Sequence, residues 1–158
     1  MENSGTTGEQ IRLQQMLCFA LYGAAHAFSR AYKPRLEPLG LTYPQYLVMV
    51  SLWEKDGQPV KALGAALGLD SGTLSPLLKR LEQAGLLART RAKADERQVH
   101  ITLTEKGRQL QSEAAGITPL MLSATGCGLE EVADLRDRLQ DLKDNLVRAG
   151  DASAAEHG

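Results

Sequence analysis

Aromatic residues and long apolar runs are scarce in this sequence of 158 residues. Aromatics make up 4% of the chain, and leucine and alanine dominate its apolar 43%, which favours a helical protein. No apolar run approaches the roughly 20 residues that a membrane-spanning helix needs. The first eight residues lack the basic and then apolar pattern of a signal peptide. We therefore expect a cytoplasmic protein with no membrane partner, in which cysteines rest as thiols.

Patterns for metal binding are missing as well. The two cysteines and three histidines lie too far apart in sequence for a zinc site, and there is no Cys-x-x-Cys motif. We expect neither a metal nor a cofactor.

The net charge of −1 conceals a basic middle segment. Residues 61–108 hold nine lysines and arginines against five acidic residues, whereas the remainder of the chain is acidic. A basic segment in a nearly neutral protein favours a localised nucleic-acid surface.

The hydrophobic pattern predicts a mainly helical chain with one β-hairpin. Thr42 and Gln45 form a capping-box pattern, and Asp70 or Ser71 is expected to cap the 71–84 helix. Pro34 is expected to end the first helix, and 55–59 is expected to be a turn. The predicted helices are 9–33, one from Thr42, 60–67, 71–84, 104–122 and 129–147, and the predicted strands are 86–90 and 98–103. A short helix, a turn, a longer helix and a hairpin are typical of a winged helix-turn-helix.

The 71–84 helix has one apolar and one polar face. Its leucines recur at positions 74, 77, 78 and 81, which predicts a buried stripe. The other side presents hydroxyls and cations that can reach base edges and phosphates, namely Thr73, Ser75, Lys79 and Arg80. An ordinary amphipathic helix with a solvated polar face has the same pattern.

The hairpin tip is short and cationic. It carries Arg91, Lys93 and Arg97, and an arginine on a narrow wing can enter a minor groove. Asp95 can hold the Arg97 guanidinium by a charge-assisted pair. The alternative is a salt-bridged loop with no ligand.

The motifs of this region resemble those of the MarR family of winged-helix regulators. The stretches are Leu69-Asp-Ser-Gly-Thr-Leu-Ser-Pro-Leu-Leu-Lys-Arg-Leu-Glu-Gln-Ala-Gly-Leu-Leu87, Asp95-Glu-Arg97 and Leu103-Thr-Glu-Lys-Gly107. The resemblance implies an obligate homodimer, recognition helices that carry Ser71, Thr73, Ser75, Lys79 and Arg80 in successive major grooves, and a wing pair of Asp95 and Arg97. It implies dimerisation helices at 9–41 and 104–148, a DNA-binding domain at 42–103, and flexible tails at 1–8 and 149–158.

Cys18 is a candidate sensor on the first helix. Tyr22 lies one turn away on the same face, whereas Tyr32 lies about 21 Å along the axis and can approach only from a partner chain or if the helix bends. Phenol donors stabilise the reactive thiolate, and apolar neighbours such as Leu17 and Phe19 favour an organic hydroperoxide over hydrogen peroxide. The alternative from composition is an inert core cysteine.

A second resemblance concerns this sensor. The stretches Leu17-Cys-Phe-Ala-Leu-Tyr22, Tyr32-Lys-Pro34 and Leu41-Thr-Tyr-Pro-Gln-Tyr-Leu47 are similar to the organic hydroperoxide resistance repressors within the MarR family. The resemblance implies that Cys18 is the peroxidatic cysteine and that Tyr22, Tyr32 and Tyr43 are candidates for its hydrogen-bonding partners.

Cys127 lies between Gly126 and Gly128, whose flexibility suits a thiol that must move to resolve a sulfenic acid. By resemblance it forms an intersubunit disulfide; an idle loop cysteine is the alternative.

The sequence therefore predicts a repressor whose reduced dimer binds a pseudo-palindromic DNA operator. Oxidation of Cys18 by an organic hydroperoxide, followed by a disulfide with Cys127, would release the DNA. One rival is a MarR-type regulator released by a phenolic or carboxylate ligand. The other is a thiol peroxidase, which leaves the basic middle and the wing unexplained, so we expect no enzyme.

Overall fold

The computed structural model describes residues 11–92 and 95–156, which divide into two units at Ala114 and Ala115. The first unit contains α1 (Leu17–Leu36), α2 (Tyr43–Glu54), β1 (Gln58–Pro59), α3 (Val60–Leu67), α4 (Ser71–Gln83), β2 (Leu87–Ala92), β3 (Asp95–Leu103) and α5 (Glu105–Ala114). The second contains α6 (Ile117–Ala124) and α7 (Leu129–Glu156). Single 3-10 turns, Leu13–Gln15 and Glu37–Leu39, flank α1. Across the part of the chain that is described, no helix is both long and apolar enough to cross a membrane.

The core of the first unit lies between α2, α3, α4 and the sheet. Leu77 of the predicted stripe is only half-buried, whereas the leucines at 74, 78 and 81 of α4 are at most 1% exposed, which confirms three of its four positions. They pack in a core that includes Val48, Met49, Leu52, Leu63, Leu87 and Ile101, each also at most 2% exposed. The mainly helical winged helix-turn-helix that the sequence predicts is therefore confirmed.

Two of these helices, α2 and α4, begin at the capping residues that the sequence predicts. The Thr42 hydroxyl accepts a hydrogen bond from the Gln45 amide at 3.4 Å, and the Gln45 side chain accepts one from the Thr42 amide at 3.0 Å. The Asp70 carboxylate caps α4 by accepting a hydrogen bond from the Thr73 amide at 2.7 Å. These bonds satisfy amide groups that a helix start leaves without an intrahelical acceptor.

The sheet has three antiparallel strands in the order β1-β3-β2. In the hairpin, Leu87 pairs with Leu103 and Arg91 pairs with Val99, but the next pair joins Ala92 to Asp95. Residues 96–98 therefore lie between two consecutive pairs, so the register is irregular near the tip. The predicted strands, 86–90 and 98–103, are too short, because pairing continues to Ala92 and Asp95.

Strand β1 was not predicted, since 55–59 reads as a turn. Gln58 pairs with Ile101 of β3, and its buried side-chain amide donates to the carbonyl oxygens of Ser51 and Lys55 at 2.8 and 2.7 Å. A long-range partner thus converts two turn residues into a strand.

Helix α5 is anchored to the corner between α4 and β2. The Trp53 indole donates to the Gly107 carbonyl at 2.9 Å, and the Thr104 amide donates to the Leu86 carbonyl at 3.1 Å. Asp56 accepts from the Leu103 amide at 2.8 Å and pairs with Arg108 at 3.6 Å. α5 therefore belongs structurally to the unit that contains the hairpin.

Two helix boundaries near prolines differ from the predicted ones. α1 continues through Pro34 to Leu36, because a proline in the last turns removes one hydrogen bond without preventing two further helical residues. The single helix expected at 104–122 is instead α5 and α6, which are separated at Ala115 and Gly116. Pro119 explains the break, since its ring is tolerated in the first turn of α6 but clashes with a preceding turn inside a continuous helix.

Helix α7 extends beyond the predicted 129–147. It continues past Gly150 to Glu156, through most of the segment that the sequence assigned to a flexible tail. The alanines at 152, 154 and 155 have the highest helix propensity and offset the cost of one glycine, about 1 kcal/mol. Residues 1–8, the other predicted tail, lie outside the described residues.

Several large apolar side chains on α1 and α7 are exposed. On α1 they include Leu17 (61%) and Phe28 (43%), and on α7 they include Leu135 (52%) and Leu146 (63%). A single chain buries the core of the first unit but leaves these apolar side chains exposed to solvent.

Candidate nucleic-acid interface and thiol site

Helix α4 presents the predicted polar face to solvent. All five of its predicted DNA contacts are exposed, namely Ser71, Thr73, Ser75, Lys79 and Arg80. Asp70 sets the start of this helix, and hydrogen bonds from the Thr73 amide and then the Thr73 side chain hold the pKa of its carboxyl below the usual range. The helix therefore begins at a fixed residue and offers hydroxyls and cations on one side.

The hairpin brings Arg91 and Arg97 to the surface on adjacent strands. Lys93 lies outside the described residues. Asp95 is the first residue of β3, but its side chain is not among the described ones, so the predicted pair with Arg97 stays a prediction.

A cavity of about 970 Å³ opens between the starts of α3 and α4 and the hairpin. Three cations line it, namely Lys61, Arg89 and Arg97. Neither Lys61 nor Arg89 is among the residues predicted from the sequence. The only signal for them was the charge excess of residues 61–108, which does not show which cations share a surface.

Cys18 is the second residue of α1, and its thiol is exposed and outside any disulfide. Tyr22, one turn later, is 63% exposed, and its ring contacts His26 edge-on with 4.4 Å between ring centroids. Leu17 and Phe19 are exposed too, so in one chain they form no closed apolar pocket around the thiol.

Tyr32 and Tyr43 come together at the junction of α1 and α2. Their ring centroids are 4.7 Å apart, and the buried Tyr46 lies 5.7 Å from Tyr32 and 6.3 Å from Trp53. Burial, and then the neighbouring phenols, raise the pKa of Tyr32, and burial followed by Tyr46 raises the pKa of Tyr43. Both phenols therefore remain hydrogen-bond donors at neutral pH.

Cys18 does not meet this tyrosine cluster within one chain. Both Cys18 and Tyr32 lie on α1, which is continuous between them, and fourteen residues of helix span about 21 Å. Tyr46, which was not predicted, completes the cluster, and its spacing of three residues from Tyr43 on a helix is the signal that could have indicated it.

Cys127 lies in the short connection between α6 and α7 and is also exposed. Its amide donates to the Thr125 hydroxyl at 3.2 Å, and its sulfur lies 3.7 Å from the Thr125 carbonyl oxygen. Gly126 has a φ of 72°, a conformation that favours glycine.

Known proteins with similar sequences and structures are transcriptional regulators. The model of the family "Transcriptional regulator SarA/Rot" matches residues 30–114. The chain is 51% identical to the HTH-type transcriptional regulator TtmR of Methylorubrum extorquens, over 87% of this chain and 71% of that protein. It is 42% identical to the organic hydroperoxide resistance transcriptional regulator of Bacillus subtilis, over 87% of this chain and 94% of that one.

Among solved structures, reduced AbfR bound to DNA is 37% identical, with a TM-score of 0.73 over 88% of this chain and 97% of that one. AbfR, a Staphylococcus epidermidis protein, has also been solved in a disulfide-bonded form, which is 41% identical with a TM-score of 0.58 over 85% and 94% of the two chains. The TM-scores over most of both chains show that AbfR and this chain share one fold. By sequence and by structure, this chain belongs to the MarR/SarA family of winged-helix transcriptional regulators.

Proposed function

We propose that this protein is a peroxide-sensing repressor that acts in the cytoplasm. Its reduced homodimer binds a pseudo-palindromic operator in double-stranded DNA and leaves it after an organic hydroperoxide oxidises Cys18. The observation that carries the proposal is the exposed Cys18 thiol on α1, on the same helix face as Tyr22. The name of the Bacillus subtilis relative and the reduced, DNA-bound AbfR structure support the same function.

The DNA-binding part of the proposal assigns 42–103 to operator binding. The exposed face of α4 enters a major groove through Ser71, Thr73, Ser75, Lys79 and Arg80, and the wing enters a minor groove through Arg91, Lys93 and Arg97, with Asp95 holding Arg97. In a dimer, two such helices contact half-sites about one helical turn apart.

The dimer part assigns residues 9–41 and 104–148 to pairing between chains. Exposed leucines at 135, 139 and 146 of α7 form an apolar face that a second copy would remove from water. Replacing Leu139 and Leu146 together by glutamate is expected to yield a monomer in sedimentation velocity, whereas a persistent dimer would contradict this assignment.

The chemistry begins with the Cys18 thiolate, whose sulfur attacks the distal oxygen of the hydroperoxide. The O–O bond breaks, the alkoxide leaves and takes up a proton as an alcohol, and the sulfur becomes a sulfenic acid. The Cys127 thiol then attacks this sulfur, an S–S bond forms between subunits, and water leaves. Tyr22, Tyr32 and Tyr43 are the proposed donors to the thiolate, the latter two from the partner chain.

The test combines operator binding with non-reducing gel electrophoresis after treatment with tert-butyl hydroperoxide. The wild type is expected to form a covalent dimer and to release DNA. Cys18→Ser is expected to stay on DNA in peroxide; if it is still released, the sensor proposal is wrong. Cys127→Ser is expected to lose the covalent dimer, and a dimer that persists would exclude Cys127 as the resolving thiol. DNA binding that ignores peroxide but is relieved by salicylate would establish the ligand-responsive rival.

A further inference from the structure

The cavity beside α4 contains two cations, Lys61 and Arg89, that the proposed function does not use. It is formed by α3, the start of α4 and the hairpin, all in the first unit, and its volume is about 970 Å³. Apolar side chains such as Val60 and Leu74 form much of its wall, and Ser71 adds a hydroxyl.

All the charged side chains that line this cavity, among the described residues, are basic. They are Lys61 from α3, Arg89 from β2 and Arg97 from β3. Arg89 also pairs with Glu82 at 3.7 Å, but the two side chains are 39% and 43% exposed. Such an exposed pair contributes little, so the guanidinium can exchange this partner for another anion at small cost.

The mixture of cations and apolar wall matches the chemistry of a nucleic-acid backbone, in which anionic phosphates alternate with sugars. The position matches too, because the cavity lies between α4 and the wing. On the proposed function these two elements occupy adjacent major and minor grooves, so one backbone strand must pass between them.

We propose that this cavity seats one backbone phosphodiester of the operator, with Lys61 and Arg89 as its cationic donors and the apolar wall against the adjoining sugar. This inference rests on the proposed function and adds two DNA-binding residues outside the α4 face and the wing tip. The contact fixes the register of the protein on DNA without reading sequence, because every base step presents the same phosphate.

The first test measures operator affinity of the reduced full-length protein against salt concentration, for wild type and Lys61→Gln. The probe is a duplex selected from a random pool by the reduced wild type. Losing one phosphate contact per protomer lowers the slope of log affinity against log salt by about 1.8 for a dimer. Because this electrostatic contribution vanishes at about 1 M salt, the affinity falls by about 60-fold at 0.1 M salt and by about ninefold at 0.3 M. Lys143→Gln, at an exposed position on α7, is the matched control. Compared at a concentration at which sedimentation velocity shows both variants to be dimeric, it is expected to leave the slope unchanged.

The second test replaces single phosphates of the same duplex by neutral methylphosphonates. One symmetric pair of positions is expected to weaken wild-type binding and to abolish the difference between wild type and Lys61→Gln. The substitution Lys61→Gln is expected to weaken binding to a random duplex by the same factor as binding to the selected duplex. The proposed phosphate site is wrong if no position shows this coupling, or if Lys61→Gln and Lys143→Gln have the same slope of log affinity against log salt.

The competing occupant is a free organic anion, which would use the same cations. Salicylate that binds the DNA-free wild type but not Lys61→Gln, with an unchanged salt slope, would overturn the phosphate assignment and leave a ligand site instead. Failure of the proposed function gives a different result, since the reduced wild type would then bind no duplex or would keep it after oxidation.

Discussion

Replacing Gly107 by alanine tests the packing of α5 against the corner between α4 and β2. A Cβ at this position would overlap the carbonyl oxygen of Leu86 and would lie 3.3 Å from a methyl group of Leu103. Because the overlap involves backbone, rotation of a side chain cannot relieve it. Either α5 or the Leu86 corner must move.

The cost can be worked from the contacts at this corner. Overpacking typically costs about 1–3 kcal/mol. A shift of α5 also weakens the hydrogen bonds from the Thr104 amide to Leu86 and from the Trp53 indole to Gly107, each of which contributes about 1 kcal/mol. We therefore expect Gly107→Ala to lower the free energy of unfolding by roughly 3–5 kcal/mol, a large part of the usual total of about 5–15 kcal/mol.

The assay is urea unfolding of the reduced protein, followed by circular dichroism at one fixed protein concentration because pairing of chains would shift the midpoint. Gly116→Ala is the matched control, since no heavy atom lies within 4 Å of its added Cβ and its φ of −79° suits alanine. Its stability is expected to stay within about 1 kcal/mol of wild type. A Gly107→Ala protein as stable as Gly116→Ala would refute the close packing of α5.

Three further substitutions, at Asp70, Tyr32 and Trp53, each test the contribution of one side chain to stability or titration. The lowered pKa of Asp70 means that its carboxylate stabilises the fold above its ordinary pKa and that this contribution is lost as the pH falls through the lower folded value. Asp70→Asn should therefore flatten the acid side of the stability profile, below about pH 4, and an unchanged profile would contradict the cap. The raised pKa values of Tyr32 and Tyr43 act on the alkaline side. Their contribution to stability is present below about pH 10 and is lost as the pH rises through the pKa values of the folded state. An absorbance titration should show the Tyr32 and Tyr43 phenols ionising above about pH 10, and Tyr32→Phe should remove one of these two transitions. Trp53→Phe should lower the free energy of unfolding by about 1–2 kcal/mol through the lost bond to α5 and the smaller ring, and no loss would exclude that bond as a stabilising one.

The elements that the sequence predicts well are those specified by local signals. The capping box at Thr42 and Gln45 and the cap at Asp70 act over three residues, and the leucine stripe of α4 repeats at helical spacing. Each signal is complete within one element, so it can be interpreted before any tertiary contact is known.

The features that escaped prediction depend on contacts between distant parts of the chain. Strand β1 forms because Gln58 pairs with Ile101, 43 positions later, and the Asp56 carboxylate accepts the Leu103 amide across 47 positions. Lys61 and Arg89 likewise share a cavity only after α3 and the hairpin have packed together. Neither periodicity nor capping marks such positions, since their roles arise from where the fold brings them.

A single chain buries its core fully but leaves the apolar surroundings of Cys18 exposed to solvent. Val48 and Leu78 are fully buried within a single chain, whereas Leu17 and Tyr22, the neighbours of Cys18, are more than 60% exposed. Apolar side chains left in water favour association at about 25 cal/mol per Å² buried, so a partner that covers α1 would also determine the surroundings of the thiol. The rate at which Cys18 reacts with tert-butyl hydroperoxide should therefore depend on protein concentration. Below the concentration at which chains pair, it should approach that of an ordinary exposed thiol, measured by stopped-flow trapping of the remaining thiol. A rate that stays constant across the dissociation range would show instead that one chain alone forms the sensor.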